Sequence, residues 1–257
     1  MASDSGGPVS ALSRRASSSN TAPDWDAIIF DLDGVIVDSE IWWDEVRRDF
    51  AGSHGRPWTV DDRASVMGRN SRQWSETMRA RLLLELTPAE IERAIVEAMV
   101  DRYRAEGAPE IEGAAAAVER LARSYPLGLA SSAHRDVIDA SLRATGLDRV
   151  FQVVVSSDDV AHGKPEPDVY LETARRLGVD PSRCLVIEDS LNGVLAGRAA
   201  GMAVALVPNL AVPPAAGAHE AATIVLERLD MIDPVAIAAL AAVAWVPGPQ
   251  QGRDPGQ

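Results

Sequence analysis

The stretch WDAIIFDLDGVIVDSE, residues 25–40, runs from an apolar segment directly into two aspartates that are separated by one residue. Its first part, AIIF (27–30), is short and rich in isoleucine, which predicts a buried β-strand. Asp31 and Asp33 follow the end of that strand, where burying one carboxylate is costly and a second negative charge beside it costs more. The pair therefore requires a compensating positive charge.

Short apolar runs recur along the chain, and helical patterns lie between them. Further strands are predicted at 127–131, 151–156, 184–188, 203–207 and 223–226, and helices at 113–124, 135–146, 166–178 and 192–201. The strand segments do not alternate between apolar and polar residues, as expected for strands covered on both faces of a parallel sheet. This succession predicts an α/β fold with a doubly wound parallel sheet.

One long interval after the first strand contains helical patterns and no convincing strand. Its three helical segments are EIWWDEVRRDFAG, SRQWSETMRARLLLEL and PAEIERAIVEAMVDRYRAEG. We expect an inserted all-helical cap subdomain above the carboxyl ends of the strands, where open α/β sheets bind ligands. The predicted organisation is a disordered arm (1–23), a core in two segments (24–38 and 112–245), a helical cap between them (39–111) and a tail (246–257).

Charge and composition argue against several classes of protein. The 257-residue chain has a net charge of −13, which argues against binding nucleic acid or an anionic membrane surface. An anionic small substrate stays possible, because local cations or a metal reverse the field within one pocket. A single cysteine, Cys184, excludes an internal disulfide and a cysteine-based metal cluster. No apolar run is long enough to span a bilayer, and no apolar segment follows Arg14-Arg15, so we expect a cytoplasmic protein.

Polar and charged side chains follow four of the predicted strands. Because parallel strands end at one edge of a sheet, we expect these side chains to converge there: Asp31, Asp33, Ser131, Ser132, Lys164, Glu188 and Asp189. So many carboxylates indicate a divalent cation, and Mg²⁺ prefers carboxylate, water and phosphate oxygens. Asp31 and Asp189 are candidate carboxylate ligands, with a further oxygen from Asp33.

The same residues suggest a phosphoryl-transfer chemistry. A carboxylate can be a covalent nucleophile, and a second carboxyl beside it can protonate the leaving oxygen and later deprotonate water. Lys164 and the Ser131 hydroxyl can hold phosphoryl oxygens, whereas Ser132 is expected to cap the following helix. The GK pair in HGKPEP lacks the P-loop pattern, and no dinucleotide fingerprint follows the first strand.

At these residues the sequence resembles the haloacid dehalogenase-like hydrolase superfamily, in the subfamily with a helical cap after the first strand (subfamily I). Four segments resemble the family motifs in the expected order: DLDGVIVDSE, LASSAHRDVI, GKPEPDVYLETARRLG and IEDSLNGVLAGRAAGM. The resemblance implies a Rossmann-like core and a Mg²⁺ cofactor held by Asp31, Asp33 and Asp189. It also implies that Asp31 is the phosphoryl-accepting nucleophile and Asp33 the acid/base, while Gly34 permits the turn and Glu188 supports the metal site.

Within the family, the second aspartate separates phosphoryl transfer from removal of halide from carbon, so Asp33 favours phosphoryl transfer. The sequence resembles β-phosphoglucomutase as well as sugar-phosphate phosphatases. The mutase has a histidine shortly after the catalytic motif and a lysine before a cap glycine; here these positions hold Trp43 and Met67, which favours hydrolysis.

The cap segment MGRNSR is expected to select the substrate, through Gly68, Arg69 and Arg72. The cap tryptophans are expected to pack the cap rather than to contact substrate. The leading interpretation is a Mg²⁺-dependent phosphatase of a small phosphorylated metabolite, a sugar or polyol phosphate, acting through an aspartyl-phosphate. A sugar-phosphate mutase and a catalytically silent metabolite-binding protein are the alternatives.

Overall fold

The computed structural model describes residues 25–67, 69–210 and 212–244. The predicted arm and tail, and Gly68 of the cap segment, lie outside the described residues. The described chain contains a six-stranded parallel sheet in the order β3-β2-β1-β4-β5-β6, which confirms the doubly wound α/β prediction. The strands are β1 Ala27–Phe30, β2 Leu127–Ser131, β3 Val153–Ser156, β4 Cys184–Glu188, β5 Ala203–Leu206 and β6 Ile224–Val225.

Ten α-helices and three short 3₁₀ helices accompany the sheet in the described residues. The α-helices are α1 Glu40–Ser53, α2 Val60–Val66, α3 Ser71–Leu82, α4 Pro88–Glu106, α5 Ala114–Ala122, α6 Arg135–Ala144, α7 Asp168–Leu177, α8 Leu191–Ala199, α9 Ala218–Ala221 and α10 Pro234–Ala244. The 3₁₀ helices are Ser157–Asp159, Pro181–Arg183 and Leu229–Met231. None of the helices in the described part of the chain has both the length and the apolarity needed to cross a membrane.

The strand β1 is buried on both faces. Ile28 and Phe30 belong to one apolar cluster and Ala27 and Ile29 to another, and all four are fully buried. Each cluster is completed by helices on its own side of the sheet, which explains why the strand sequences show no apolar–polar alternation.

We call α1–α4 the cap helices, because they form the interval between β1 and α5 that was expected to be a helical cap. The sequence predicted three of them and missed α2. This helix has only seven residues, too few for a clear apolar period, and it begins with a capping box in which Thr59 and Asp62 bond reciprocally. The longest, α4, begins in the same way at Thr87, with Pro88 in its first turn as expected.

The two segments that join the cap helices to the sheet run side by side. Val37 forms an antiparallel bridge with Glu110. The Asp38 amide donates to the Pro109 carbonyl at 2.8 Å, and the Ile111 amide donates to the Ile36 carbonyl at 3.0 Å. The chain thus enters and leaves the cap helices at one place, close to the end of β1. The domain limits 39–111 for the cap stay a prediction from the sequence.

Candidate active site

A cavity of about 350 Å³ lies between the cap helices and the carboxyl edge of the sheet. Its floor consists of residues that directly follow β1, β2 and β4, together with Lys164 and a segment after β5. Its roof is contributed by α1, the end of α2 and the start of α3. The cavity therefore lies where ligands bind in open α/β sheets.

The sheet order places the acidic residues of β1 and β4 side by side. The two strands are neighbours at the point where the strand order reverses, and Phe30 is paired with Ile187. The Asp31 amide donates to the Ile187 carbonyl at 3.0 Å, so Asp31 lies beside Glu188 at the common edge. Asp31 and Asp189 are thus brought together from positions more than 150 residues apart in the sequence.

Lys164 is the buried cation between these carboxylates. Its Nζ lies 2.7 Å from Asp31 Oδ1 and 2.6 Å from Glu188 Oε1. Only 5% of its side chain is exposed. Burial alone would lower the pKa of Lys164, but the carboxylates of Asp31 and Glu188 outweigh burial and hold the pKa well above its usual value. The ammonium therefore stays charged and fixes the position of the Asp31 carboxylate.

Glu188 accepts more hydrogen bonds than its supporting role in the sequence suggested. Its Oε1 accepts from Lys164 and from the Tyr170 hydroxyl, and its Oε2 accepts from the Asp189 amide and from the Ser190 amide and hydroxyl. Burial raises the pKa of Glu188, but the charge of Lys164 and these hydrogen bonds outweigh it, so the pKa is lowered. Glu188 is an ionised, fully buried anchor that orients Lys164.

Gly193 is the close neighbour that leaves room for this anchor. A Cβ atom at Gly193, in the first turn of α8, would lie 1.6 Å from Glu188 Oε1. Because five hydrogen bonds hold Glu188 in place, the carboxylate cannot move away without losing them. We expect Gly193→Ala to lower the free energy of unfolding by about 2 kcal/mol, as overpacking does in a dense core.

The matched control for this prediction is Gly52→Ala, since Gly52 is also helical but a Cβ there meets nothing within 4 Å. We expect that variant to be neutral or stabilised by up to about 1 kcal/mol. Urea denaturation of the two variants checks the prediction. Equal stability of Gly193→Ala and Gly52→Ala would contradict it.

Asp189 approaches the chain closely at Gly34. A Cβ at Gly34 would lie 2.0 Å from Asp189 Oδ2, and the backbone there has φ +83°, a conformation that glycine adopts readily. Gly34 therefore has a second role besides the expected one in the turn: because it has no side chain, the Asp189 carboxylate can lie against it. No group among the described residues donates a hydrogen bond to the Asp189 carboxylate. Burial and the neighbouring charges of Glu188 and Asp31 raise its pKa well above the usual value.

The donor set fits a hard divalent cation. Asp31, Glu188 and Asp189 each offer a carboxylate oxygen, and the three oxygens lie within 4.8 Å of one another. Mg²⁺ prefers oxygen ligands, and the Asp189 carboxylate accepts no hydrogen bond from the described residues that would compete with a metal ion. Burial, outweighing the opposing charge of Lys164, raises the pKa of Asp31 to about 7. A further positive charge at this position would favour the ionised forms of both aspartates.

The side chain of Asp33 does not belong to this group, although the sequence assigned Asp33 to the metal. Its Oδ1 accepts a short hydrogen bond from the Ser39 hydroxyl, and the Trp43 side chain lies on the same side. These contacts turn the carboxylate toward the start of α1. Burial raises the pKa of Asp33, which favours the protonated form that an acid catalyst needs. Ser39 was missed, because a serine before a helix is usually only a cap.

Ser131, the last residue of β2, and Ser132, directly after it, take different positions at the floor of the cavity. Ser131 is buried, and its Oγ accepts from the Ala133 amide at 3.1 Å, so it shapes the turn below the cavity. Its hydroxyl hydrogen is left to donate. The predicted capping role of Ser132 is wrong: the His134 side chain caps α6 by accepting from the Asp136 amide, and Ser132 lines the cavity.

The cap contributes one of the expected residues and several unexpected ones. Arg69 lines the cavity, whereas Arg72 is exposed in the first turn of α3 and does not line it. The cap tryptophans were expected to pack the cap rather than to contact substrate; Trp43 and Trp74 do pack in the apolar core, and both also line the cavity. Arg47 lies with them and was not considered from the sequence, because an arginine within a helix of mixed charge looks like a solvated residue.

Comparisons with known proteins identify relatives of this arrangement. A bifunctional riboflavin kinase/FMN phosphatase of Arabidopsis thaliana is 32% identical over 200 residues, covering 71% of this chain and 48% of that protein, so the match spans about half of this relative. A phosphorylated carbohydrates phosphatase of Thermotoga maritima is 33% identical over 178 residues, covering 69% of this chain and 82% of that protein.

The fold has counterparts among solved structures. CbbY from Rhodobacter sphaeroides, solved in complex with phosphate, matches with a TM-score of 0.70 and 26% identity, over 80% of this chain and 96% of that one. A model of haloacid dehalogenase-like hydrolases matches residues 25–201, more than half of the chain. The chain therefore belongs to the haloacid dehalogenase-like hydrolase family.

Proposed function

We propose that the protein is a phosphatase that hydrolyses a small phosphorylated metabolite, a sugar or polyol phosphate, through a phosphoryl group carried transiently by Asp31. The observation that carries the proposal is the contact of Lys164 with both Asp31 and Glu188 at the floor of the cavity. The substrate class is supported by the phosphorylated carbohydrates phosphatase of Thermotoga maritima.

The reaction follows from the positions of the two aspartates. An Asp31 carboxylate oxygen attacks phosphorus, and the bond from phosphorus to the ester oxygen breaks while Asp33 gives that oxygen its proton. Water then attacks the phosphoryl group, and Asp33 takes a proton from the water. Inorganic phosphate leaves, and Asp31 is restored. Lys164, the Ser131 hydroxyl and the Ser132 region hold the phosphoryl oxygens.

Asp31 and Asp189 would hold a Mg²⁺ ion with their carboxylate oxygens, and Glu188 would border it. When bound, the ion supplies positive charge that neutralises the phosphoryl oxygens. The oxygen predicted from Asp33 stays a prediction for its backbone carbonyl, because its carboxylate bonds Ser39 instead.

A sugar-phosphate mutase would use the same nucleophile and acid. Trp43 lines the cavity together with Asp33, at the position where the mutase resemblance expects a histidine. This favours hydrolysis. The cytoplasmic location stays a prediction from composition and from the single cysteine.

The experiment is a panel of sugar, polyol and nucleotide monophosphates assayed for inorganic phosphate. We expect release from sugar or polyol phosphates in the presence of Mg²⁺, loss of release on adding EDTA, and recovery when Mg²⁺ is added in excess, because the buried acidic cluster needs the cation. Isomerised product from β-glucose 1-phosphate and a bisphosphate primer, without free phosphate, would favour the mutase. Absence of any product would leave the silent binding protein, and full activity in EDTA would contradict the metal assignment.

A further inference from the structure

Arg47 is a buried cation on the wall of the cavity. It lies in the middle of α1, only 6% of it is exposed, and it lines the space between the cap helices and the sheet. Its guanidinium carbon lies 4.9 Å from the ring centre of Trp43 and 5.3 Å from that of Trp74. Cation–π contacts with the two indole rings therefore hold the guanidinium in a fixed position in the roof of the cavity.

The guanidinium makes no ion pair among the described residues, although the carboxylates of Glu40, Asp44 and Asp33 act on it from farther away and favour its charged form. Its buried Nε makes no hydrogen bond, and no described carboxylate oxygen lies within the 4.0 Å of an ion pair. On the same helix, Asp44 is engaged by Arg48 and by the Trp58 indole. Burial lowers the pKa of Arg47 to about 10, so the group still carries its charge at neutral pH. A buried guanidinium that makes no hydrogen bond to a protein carboxylate keeps its donors available for a ligand anion.

The charged residues on the cap side of the cavity carry more positive than negative charge, which favours binding of an anion. Arg47 and Arg69 line it there, and Glu40 is the acidic residue of the cap helices that lines it with them. Burial raises the pKa of Glu40, which weakens its ability to balance two guanidinium groups. The floor of the cavity already provides Lys164 for the reacting phosphoryl group.

We propose that Arg47, assisted by Arg69, binds a second anionic group of the substrate, a carboxylate or a second phosphate, at the end opposite the phosphoryl group that is removed. The inference rests on the proposed phosphatase function and narrows its substrate class to esters with an anion at both ends. A planar guanidinium with an unused N–H matches the oxygens of such a group, and the arginine is already ordered before the ligand arrives.

The test uses ester pairs that differ only in the distal charge. The first pair is 6-phosphogluconate and glucitol 6-phosphate, which differ in a carboxylate against a hydroxymethyl group. The second pair is fructose 1,6-bisphosphate and fructose 1-phosphate. For the wild-type protein with Mg²⁺ we expect kcat/KM to be about tenfold or more higher for the doubly charged member of at least one pair, and the pair that responds tells carboxylate from phosphate.

The variants assign that preference to Arg47. Arg47→Gln should remove it, lowering kcat/KM about tenfold or more for the preferred ester and by less than about threefold for its neutral partner. Arg47→Lys keeps the charge without the planar fork and should keep part of the preference. Arg104→Gln, which removes an exposed guanidinium of α4 that pairs with Asp101 and does not line the cavity, is the control and should keep the whole preference.

The outcomes separate this inference from the proposed function. Equal losses for both members of each pair in Arg47→Gln, or no preference in the wild-type protein, would overturn the inference while phosphatase activity stands. If no ester is hydrolysed, the proposed function fails, and the inference is tested by binding alone. In that case 6-phosphogluconate should raise the melting temperature of the wild-type protein more than glucitol 6-phosphate does. Arg47→Gln should abolish this difference. An equal rise in the wild-type protein would overturn the inference.

Discussion

Asp31→Asn is expected to reduce kcat for phosphate release by about four orders of magnitude or more, the scale seen when a covalent nucleophile is removed. The asparagine amide has nearly the size of the carboxylate, but it carries no charge and does not attack phosphorus. Lys164 keeps its second partner, Glu188, so the site is not left with an unpaired cation. Because the replaced carboxylate is itself buried and its pKa is raised to about 7, we expect the free energy of unfolding to change by no more than about 1 kcal/mol.

Steady-state assays and urea denaturation of the same preparation check this expectation. The control is Asp49→Asn, an exposed aspartate on α1 that does not line the cavity, and it should keep wild-type activity. A kcat for Asp31→Asn within tenfold of the wild type, in protein free of wild-type contamination, would remove the nucleophile assignment. Loss of activity together with unfolding would be diagnosed by the denaturation curve and followed by Asp31→Ser.

Lys164→Met is expected to damage activity and stability together. The variant leaves Asp31 and Glu188 buried without their cation, and breaking a buried ion pair from one side costs about 3–5 kcal/mol. Activity should fall about a hundredfold or more, because the Asp31 carboxylate loses its fixed position and the phosphoryl oxygens lose a donor.

The stability loss of Lys164→Met should also depend on pH, and the buried carboxyls of Asp31 and Glu188 determine the direction of that dependence. Without Lys164, the buried carboxylates of Asp31 and Glu188 bind protons more tightly in the folded than in the unfolded state. Stability then falls as pH rises, since the folded state holds more protons. In the wild type the pKa of Glu188 is lowered, so its contribution is nearly complete at both pH 5 and pH 8, whereas burial raises the pKa of Asp31 to about 7. Loss of the Lys164 charge raises the pKa of both carboxyls further. The difference between the two proteins should therefore be larger at pH 8 than at pH 5.

Denaturation curves at these two pH values measure the difference. Arg175→Met is the matched control, because it removes a cation from the exposed ion pair with Glu172 and should cost less than about 1 kcal/mol at either pH. A Lys164→Met loss that is as small as the control, or that is larger at pH 5 than at pH 8, would contradict the role of Lys164 as the charge that favours the ionised forms of both carboxyls.

Much of the floor of the site could be predicted from the sequence, because it depends on one rule of sheet architecture. Parallel strands end at one edge, so Asp31, Lys164 and Asp189 were expected to meet before any distance was known, and the distances agree. The strands were recognisable because each is a short apolar run buried on both faces. The doubly wound order followed from their alternation with helices.

The roof could not be predicted in the same way, because helix packing decides which side chains reach the cavity. Arg47 and Trp43 belong to one helix, α1, whose inward face is set by its packing against α4, and the residue pattern alone does not give that packing. The orientation of Asp33 likewise depends on Ser39, a contact between a loop and a helix start. Helix α2 has only seven residues, most of them polar, so its sequence shows no clear apolar period from which a helix could be predicted.

Lys164 has one more consequence, since it is the only lysine in the sequence and its ammonium is almost fully enclosed. Every other basic side chain that stays charged at neutral pH is an arginine. Amine-directed reagents thus find no accessible side-chain target while the fold is intact, so the rate at which this lysine is modified measures how often the centre of the molecule opens to solvent.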